Sequence, residues 1–242
     1  MVDKPGRRKK APTNWLKVAA IVVGVIVIGA AGVLVYADYR ASTAPVYAVI
    51  DTKAFGMIYL ELYPQCAPKT VANFVTLAGS GFYDNRVWHR IDPGFVIQTG
   101  DPNTRNGVNS TRSTWGMGGS NNTVPLEVTS CSWIGNYAGY VAMAREGNDT
   151  SGLDSGTSQF YINLVNNTSL DHYYTVFGKV ISGMGNVCDI ANLPIYNSTA
   201  IYDSGSYLYD QPKNATAAMI DSITIIKASA LPTAQPIVPC SS

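Results

Sequence analysis

Arg90 lies in the stretch Val87–Asp101 (VWHRIDPGFVIQTGD), among apolar and aromatic residues, with the amide Gln98 eight positions further on. A guanidinium stays protonated and presents five donors in a fixed fork. On a mostly apolar strand it needs a partner or a chemical task. A second block, Ser158–Ile162 (SQFYI), sets the amide Gln159 beside Phe160 and Tyr161. Two such segments facing one groove make an apolar pocket edged by hydrogen-bond donors and without an obvious nucleophile. That chemistry suits holding and straining a peptide rather than cutting it. His89 and His172 are the only histidines. Neither has a visible serine, cysteine or carboxylate partner in the sequence, which argues against a hydrolase triad.

These residues must be positioned by short elements. Val46–Asp51 and Gly56–Leu62 read as a strand pair, and Pro68–Leu77 as an amphipathic helix opened by proline. Val87–Arg90 and Phe95–Gln98 read as strands joined by the Asp92-Pro93-Gly94 turn. Ala138–Ala144, Gln159–Leu164, Thr175–Val180 and Met219–Lys227 are further strands, and Met184–Leu193 a short helix. Residues 102–123 read as a long polar surface loop, and 197–216 as a polar excursion. Many short strands with two helices predict a mainly β fold, a closed barrel with helical plugs.

Ahead of this domain, Val18–Ala37 is a run of 20 uncharged, mostly apolar residues. As a helix it spans about 30 Å, the thickness of a bilayer core. Six cations and one anion precede it in residues 1–17, and Trp15 and Tyr36 stand at its ends. The positive-inside rule then puts the N-terminus in the cytoplasm and the domain outside a cell membrane crossed once. The competing reading is a cleaved signal peptide, for which the run is long. The expected organisation is a basic segment 1–17, a transmembrane helix 18–37, a linker 38–45, a domain 46–228 and a tail 229–242.

The remaining charge is mildly acidic, 11 cations against 15 anions, which argues against a nucleic-acid partner. Seven Asn-X-Ser/Thr sequons, at Asn109, Asn121, Asn148, Asn166, Asn167, Asn197 and Asn214, all follow the apolar run. Cys66, Cys131, Cys188 and Cys240 form no CxxC and no zinc pattern. Outside the cell they allow two disulfides in three connectivities, with buried free thiols as the alternative for Cys66 and Cys188.

The blocks WHRIDPGFVIQTGD, AMA, SQFYI and LDHYYTVFG, in this order and spacing, resemble the cyclophilin-type peptidyl-prolyl cis/trans isomerases. Family members read F-H-R-x-x-x-G-F-x-x-Q-G-G-D, A-M-A, S-Q-F-F-I and L-D-x-x-x-x-V-F-G. The resemblance covers about residues 46–228 and implies an eight-stranded antiparallel β-barrel capped by two α-helices. It implies that Arg90 is catalytic, with Gln98 beside it. Phe95, Val96, Tyr161 and Leu170 would receive a proline ring, with Gln159 as a second polar neighbour. Ala144 and Arg145 would meet the peptide backbone, and Tyr174 stands where many members have His. Neither metal nor cofactor is implied. Partners would be proline-containing polypeptides, with the membrane bound through the N-terminal helix. Departures from the pattern are Thr99 for Gly, Tyr161 for Phe, Val96 for Met and Arg145 for Asn. Ser169 replaces the Trp of cyclosporin-sensitive members, so weak cyclosporin binding is expected. A non-catalytic module that only binds proline peptides is the alternative function.

Overall fold

The computed structural model describes residues 25–27, 33–35, 44–128, 131–147, 152–196, 208–233 and 235–240. Within the apolar run 18–37, β1 (Val25–Val27) and β2 (Val33–Val35) form a short antiparallel pair. The rest of that run lies outside the described residues, as do residues 1–17 and most of the linker. Among the described residues, no helix is long and apolar enough to cross a membrane.

The domain begins with β3 (Val46–Thr52) and β4 (Gly56–Leu62), paired from Val46 opposite Leu62 to Thr52 opposite Gly56. Side chains alternate along a strand, so Ala48, Ile50, Ile58, Leu60 and Leu62 all enter the core. The elements α1 (Pro68–Gly79), β5 (Arg90–Asp92), β6 (Val96–Thr99), β7 (Tyr140–Met143), β8 (Phe160–Asn163), β9 (Val176–Ser182), α2 (Met184–Ala191) and β10 (Ile220–Ile226) follow. Eight of the strands make one antiparallel sheet in the order β10-β3-β4-β9-β7-β8-β6-β5. The expected eight strands and two helices are present. The barrel, however, is not closed by a strand ladder. Among the described residues its edges meet just before β5 and β10, through the antiparallel bridge Val87–Met219. Trp88 N–H donates to Ala218 O at 2.9 Å, and Ile220 N–H donates to Arg86 O at 2.7 Å. The core it encloses centres on Phe74, Tyr83, Trp88, Phe160 and Phe177.

Two regions differ from the sequence reading, and the fold settles a cysteine pairing that the sequence left open. Residues 102–123 are not simply a surface loop: Pro102–Gly107 and Asn109–Thr114 form 3-10 turns that bury Thr104 and Arg112. Arg112 stacks on Trp115 at 4.4 Å and donates to Pro212 O at 2.9 Å, so a polar-looking segment is anchored by one cation. The described end of the 197–216 region is no excursion either, since Leu208, Asp210, Gln211 and Ala215 are buried. All four cysteines are paired, Cys66 with Cys131 and Cys188 with Cys240. The second bridge ties the C-terminal tail to α2, and Ile237 and Cys240 pack on the core. Pairings between residues 52 and 65 positions apart cannot be read from local patterns.

Candidate active site

A tight turn places the arginine. Phe95 N–H donates to Asp92 O at 3.0 Å, and Gly94 takes φ +80° after Pro93. Proline followed by a left-handed glycine is the signature of a type II turn. It sets Arg90 opposite Gln98 and Asp92 opposite Val96. Across the next ladders Gln98 faces Tyr161, and Tyr161 faces Ala142. Directly opposed residues share a sheet face. Arg90, Gln98, Tyr161 and Ala142 therefore form one row across four strands, with Thr99, Phe160 and Met143 on the inner face.

That row borders an apolar cluster separate from the main core. Val96, Ala142, Tyr161 and Val176 are buried in it, and Phe95, Ile134, Ala144, Leu170 and Tyr174 pack on it half-exposed. A cavity of about 140 Å³ opens here, lined by Arg90, Phe95, Val96, Gln98, Ala144, Arg145, Tyr161, Leu170 and Tyr174. Nine of the ten residues singled out from sequence thus meet around one hollow. The tenth, Gln159, lines a neighbouring hollow of about 480 Å³ that shares Gln98, Ala144 and Arg145. Its Oε1 accepts from Gln98 Nε2 at 2.8 Å, so it still belongs to the same polar edge.

Gln159 is itself held. Its Nε2 donates to Gly116 O at 2.9 Å and Gly118 O at 2.6 Å. That loop is gathered by the fully buried Asp101, whose carboxylate accepts from the backbone N–H of Gly116 and Gly118. Asp101, two glycine carbonyls, Gln159 and Gln98 thus form a relay that orients the amide beside Arg90. Thr99, the departure from the glycine pair, is accommodated because its hydroxyl donates to Val87 O at 2.9 Å. Gly100 cannot vary in the same way: it has φ +91°, and a Cβ there would sit 2.3 Å from Ser158 O. His89, behind this wall, is buried with neither ring nitrogen hydrogen-bonded among the described residues. Burial pushes its imidazole down to about 4, against the pull of Asp101.

Arg90 is held by carboxylates rather than by Gln98. Nη2 donates to Asp92 Oδ2 at 2.9 Å, and Nε lies 3.6 Å from Asp210 Oδ2. The guanidinium also stands over the Phe95 ring at 5.5 Å. Asp210 is the residue that sequence reading missed. It sits in a stretch dismissed as polar, and only the fold brings it within reach of a side chain 120 positions earlier. Burial and the nearby Asp92 push its carboxyl up, with Arg90 opposing.

Further along the row, on β8, Tyr161 is buried and its hydroxyl donates to Asn136 Oδ1 at 2.8 Å. Asn136 is fixed in turn by Asp171 Oδ1, which accepts from its backbone N–H at 2.7 Å and from its Nδ2 at 3.0 Å. Burial, Tyr174 and Asp171 push the Tyr161 phenol well up, so it stays a neutral donor. The extra hydroxyl therefore points away from the cavity and leaves the ring as an apolar wall. Tyr174 meets that ring edge-on at 5.7 Å, and the Arg145 guanidinium stands over the Tyr174 ring at 5.1 Å. Among the described residues, no group of three or more His, Cys, Asp or Glu side chains is placed to hold a metal ion.

Comparison with known proteins agrees with this geometry. Residues 47–206 match the family described as cyclophilin type peptidyl-prolyl cis-trans isomerase/CLD. A peptidyl-prolyl cis-trans isomerase of Acinetobacter baylyi is 34% identical over 218 residues, covering 88% of this chain and 100% of the relative. Peptidyl-prolyl cis-trans isomerase B of Bacillus subtilis is 42% identical over 127 residues, covering 52% of this chain and 78% of its own. A crystal structure of a Cryptosporidium parvum cyclophilin-type isomerase, obtained in the presence of the dipeptide Ala-Pro, superposes with a TM-score of 0.60. It is 26% identical and covers 75% of this chain and 99% of that one.

Proposed function

The chain belongs to the cyclophilin-type peptidyl-prolyl cis-trans isomerases, and on that premise we propose that it isomerises X–Pro bonds of exported or surface proteins from a membrane-anchored position outside the cell. Rotation about an amide is opposed by about 18–20 kcal/mol of resonance. An uncatalysed X–Pro bond takes tens to hundreds of seconds. In the twisted transition state the prolyl nitrogen loses resonance, becomes pyramidal and accepts a hydrogen bond. A guanidinium N–H aimed at it stabilises the twisted form over the planar one, with neither proton transfer nor metal. Arg90 fits that role, because it rims the apolar cavity while Nε and Nη2 are directed at carboxylates. This leaves Nη1 as the nitrogen without a carboxylate partner among the described residues. Phe95, Val96, Leu170 and Tyr161 hold the ring, and Gln98, Ala144 and Arg145 meet the flanking backbone.

The single observation that carries the catalytic assignment is this arginine at the mouth of an apolar hollow sized for a small ring. A protease-coupled cis/trans assay on the full-length chain tests it. Acceleration above the uncatalysed rate supports catalysis. Binding of a proline peptide with no acceleration would make the domain a binding module instead.

Export is supported by the two disulfides, which persist in oxidising compartments, and by the uncharged run 18–37 behind its basic cluster. An open two-stranded ribbon cannot cross a bilayer with its edges unpaired. The anchored state therefore requires residues 18–37 to be helical, and a mature N-terminus beginning near Asp38 would contradict the anchor. Asn109, Asn121, Asn166 and Asn214 are exposed and open to glycosylation. Asn167 is not, because it is buried with Nδ2 donating to Phe95 O and Asn163 Oδ1. Asn148 and Asn197 lie outside the described residues. Cyclosporin is expected to bind weakly, since the exposed Ser169 offers no aromatic surface.

A further inference from the structure

We propose that Asp210 is a positioning residue for the reaction, holding the Arg90 guanidinium from behind so that the fork meets substrate in one orientation. The inference rests on the catalytic reading of Arg90 and adds the group that makes that reading sterically definite.

Arg90 is the end of a flexible side chain, 39% exposed, at the edge strand of the sheet. Left to itself, such a side chain samples several rotamers, and a transition-state donor that wanders loses most of its effect. Asp92 alone does not fix it. It contacts Nη2 from two residues along the same strand and is itself partly exposed, at 28%. One contact at one terminal nitrogen leaves rotation about the rest of the chain. Asp210 approaches Nε from a different segment, with its side chain 4% exposed. Two carboxylates on two separate nitrogens define the plane of the fork.

The position of Asp210 is determined by the backbone rather than by the pairing. Its φ is +63°, a left-handed conformation that aspartate and asparagine tolerate better than most residues. Its carbonyl accepts from Ile91 N–H at 2.8 Å, so the segment is tied to the residue next to Arg90. The neighbouring Gln211 is bound to the 3-10 turns, with Nε2 donating to Arg112 O at 3.0 Å. Asp210 is therefore presented by a frame that does not depend on Arg90. The charged groups facing it are Arg90 and Asp92, both on β5. Because burial and Asp92 hold its carboxyl above the ordinary aspartate range, it takes up a proton at a pH where exposed carboxylates remain ionised. Protonation removes the charge that draws Nε inward.

The test is Asp210→Asn, which keeps the shape and tolerates the same backbone. With full-length chain, kcat/KM for an X–Pro peptide should fall about five- to tenfold at neutral pH, through kcat and not KM. The wild type should lose activity on acidification through the Asp210 titration, and the variant should show no such step. A residue that merely supports the fold would lower the melting temperature and leave the pH profile of the remaining activity as in wild type. That result overturns the proposal, as does unchanged kcat/KM. Should the variant not fold, the Arg90 Nε–H resonance of the wild type, followed between about pH 4 and 8, decides instead: a shift with its midpoint above the ordinary aspartate range, where Asp210 takes up its proton, supports the contact, and a flat trace or a midpoint within that range refutes it. A wild type with no activity at all would instead refute the catalytic reading of Arg90, so the two failures are distinguishable.

Discussion

The cavity has two walls built on opposite principles. The β5–β6 wall carries charge at the surface: Arg90 is 39% exposed and stands between two carboxylates. The β8 wall hides its polarity: Tyr161 is 4% exposed and spends its hydroxyl on Asn136, behind the ring. The first wall has a donor free to act on a reacting bond, held only as tightly as orientation requires. The second has every polar group satisfied, so it presents a still, apolar surface. The difference suggests a division of labour in which one wall distinguishes the transition state and the other grips the ring. The supports differ too. Asp210 reaches the first wall through the segment before β10. The second is reached by residues 131–137, which supply Ile134 and Asn136 and are fastened at Cys131 to Cys66 beside α1. The same loop region reaches α1 through Glu127, whose carboxylate accepts from Lys69 N–H at 3.0 Å and Thr70 N–H at 2.8 Å.

The sharpest way to break this contrast is Arg90→Ala, which should lower kcat/KM by about 100-fold or more, the cost of removing one preorganised transition-state donor. A loss of only a few-fold, in the same coupled assay, would mean that the walls do not divide the work. Removing the second wall's fastening should act differently. Replacing both Cys66 and Cys131 by Ser should cost about 2–4 kcal/mol of stability, seen in denaturant unfolding. Below the melting transition it should raise KM more than it lowers kcat, because the loop holding Asn136 loosens.

Acid should act on stability through the first wall. The His89 imidazole is held near 4 in the fold, against about 6.5 in the unfolded chain. Between those values the unfolded chain binds more protons, so stability is complete above about pH 6.5 and falls toward pH 4, by roughly 3 kcal/mol. Urea midpoints across that window should show the slope, and His89→Leu should flatten it. The smallest effect belongs to Tyr161→Phe. It leaves Asn136 Oδ1 with only Asn163 Nδ2 at 3.4 Å among the described residues, so about 1 kcal/mol of stability is lost. Turnover should hardly change, because the hydroxyl faces away from the cavity.

The two walls also differed in how well the sequence disclosed them. Arg90, Phe95, Val96 and Gln98 are close in the chain, in one strand–turn–strand block marked by an Asp-Pro-Gly turn. Tyr161, Leu170, Ala144 and Tyr174 were found through blocks whose order and spacing matched the family. What stayed hidden was whatever depends on distant partners. Asp210 lies in a stretch whose polar composition resembles a loop, and its burial follows from contacts with β5 and the 3-10 turns. Asn136 carries no signal of its own until the Tyr161 hydroxyl is known to need an acceptor. Arg112 buries a charge that a composition-based reading assigns to solvent, because three carbonyl or amide oxygens from residues 211–213 and an aromatic ring replace water around it. The disulfide partners were likewise open among three pairings until the fold brought the chains together.

The division between the walls is tested most directly by separating binding from turnover in one sample. A proline peptide is titrated with full-length Arg90→Ala, and exchange between its bound cis and trans forms is followed by NMR line shapes. The expected result is a Kd within about threefold of wild type, with exchange slowed to near the uncatalysed rate. Exchange as fast as in wild type at equal occupancy would contradict the assignment of Arg90 as the transition-state donor.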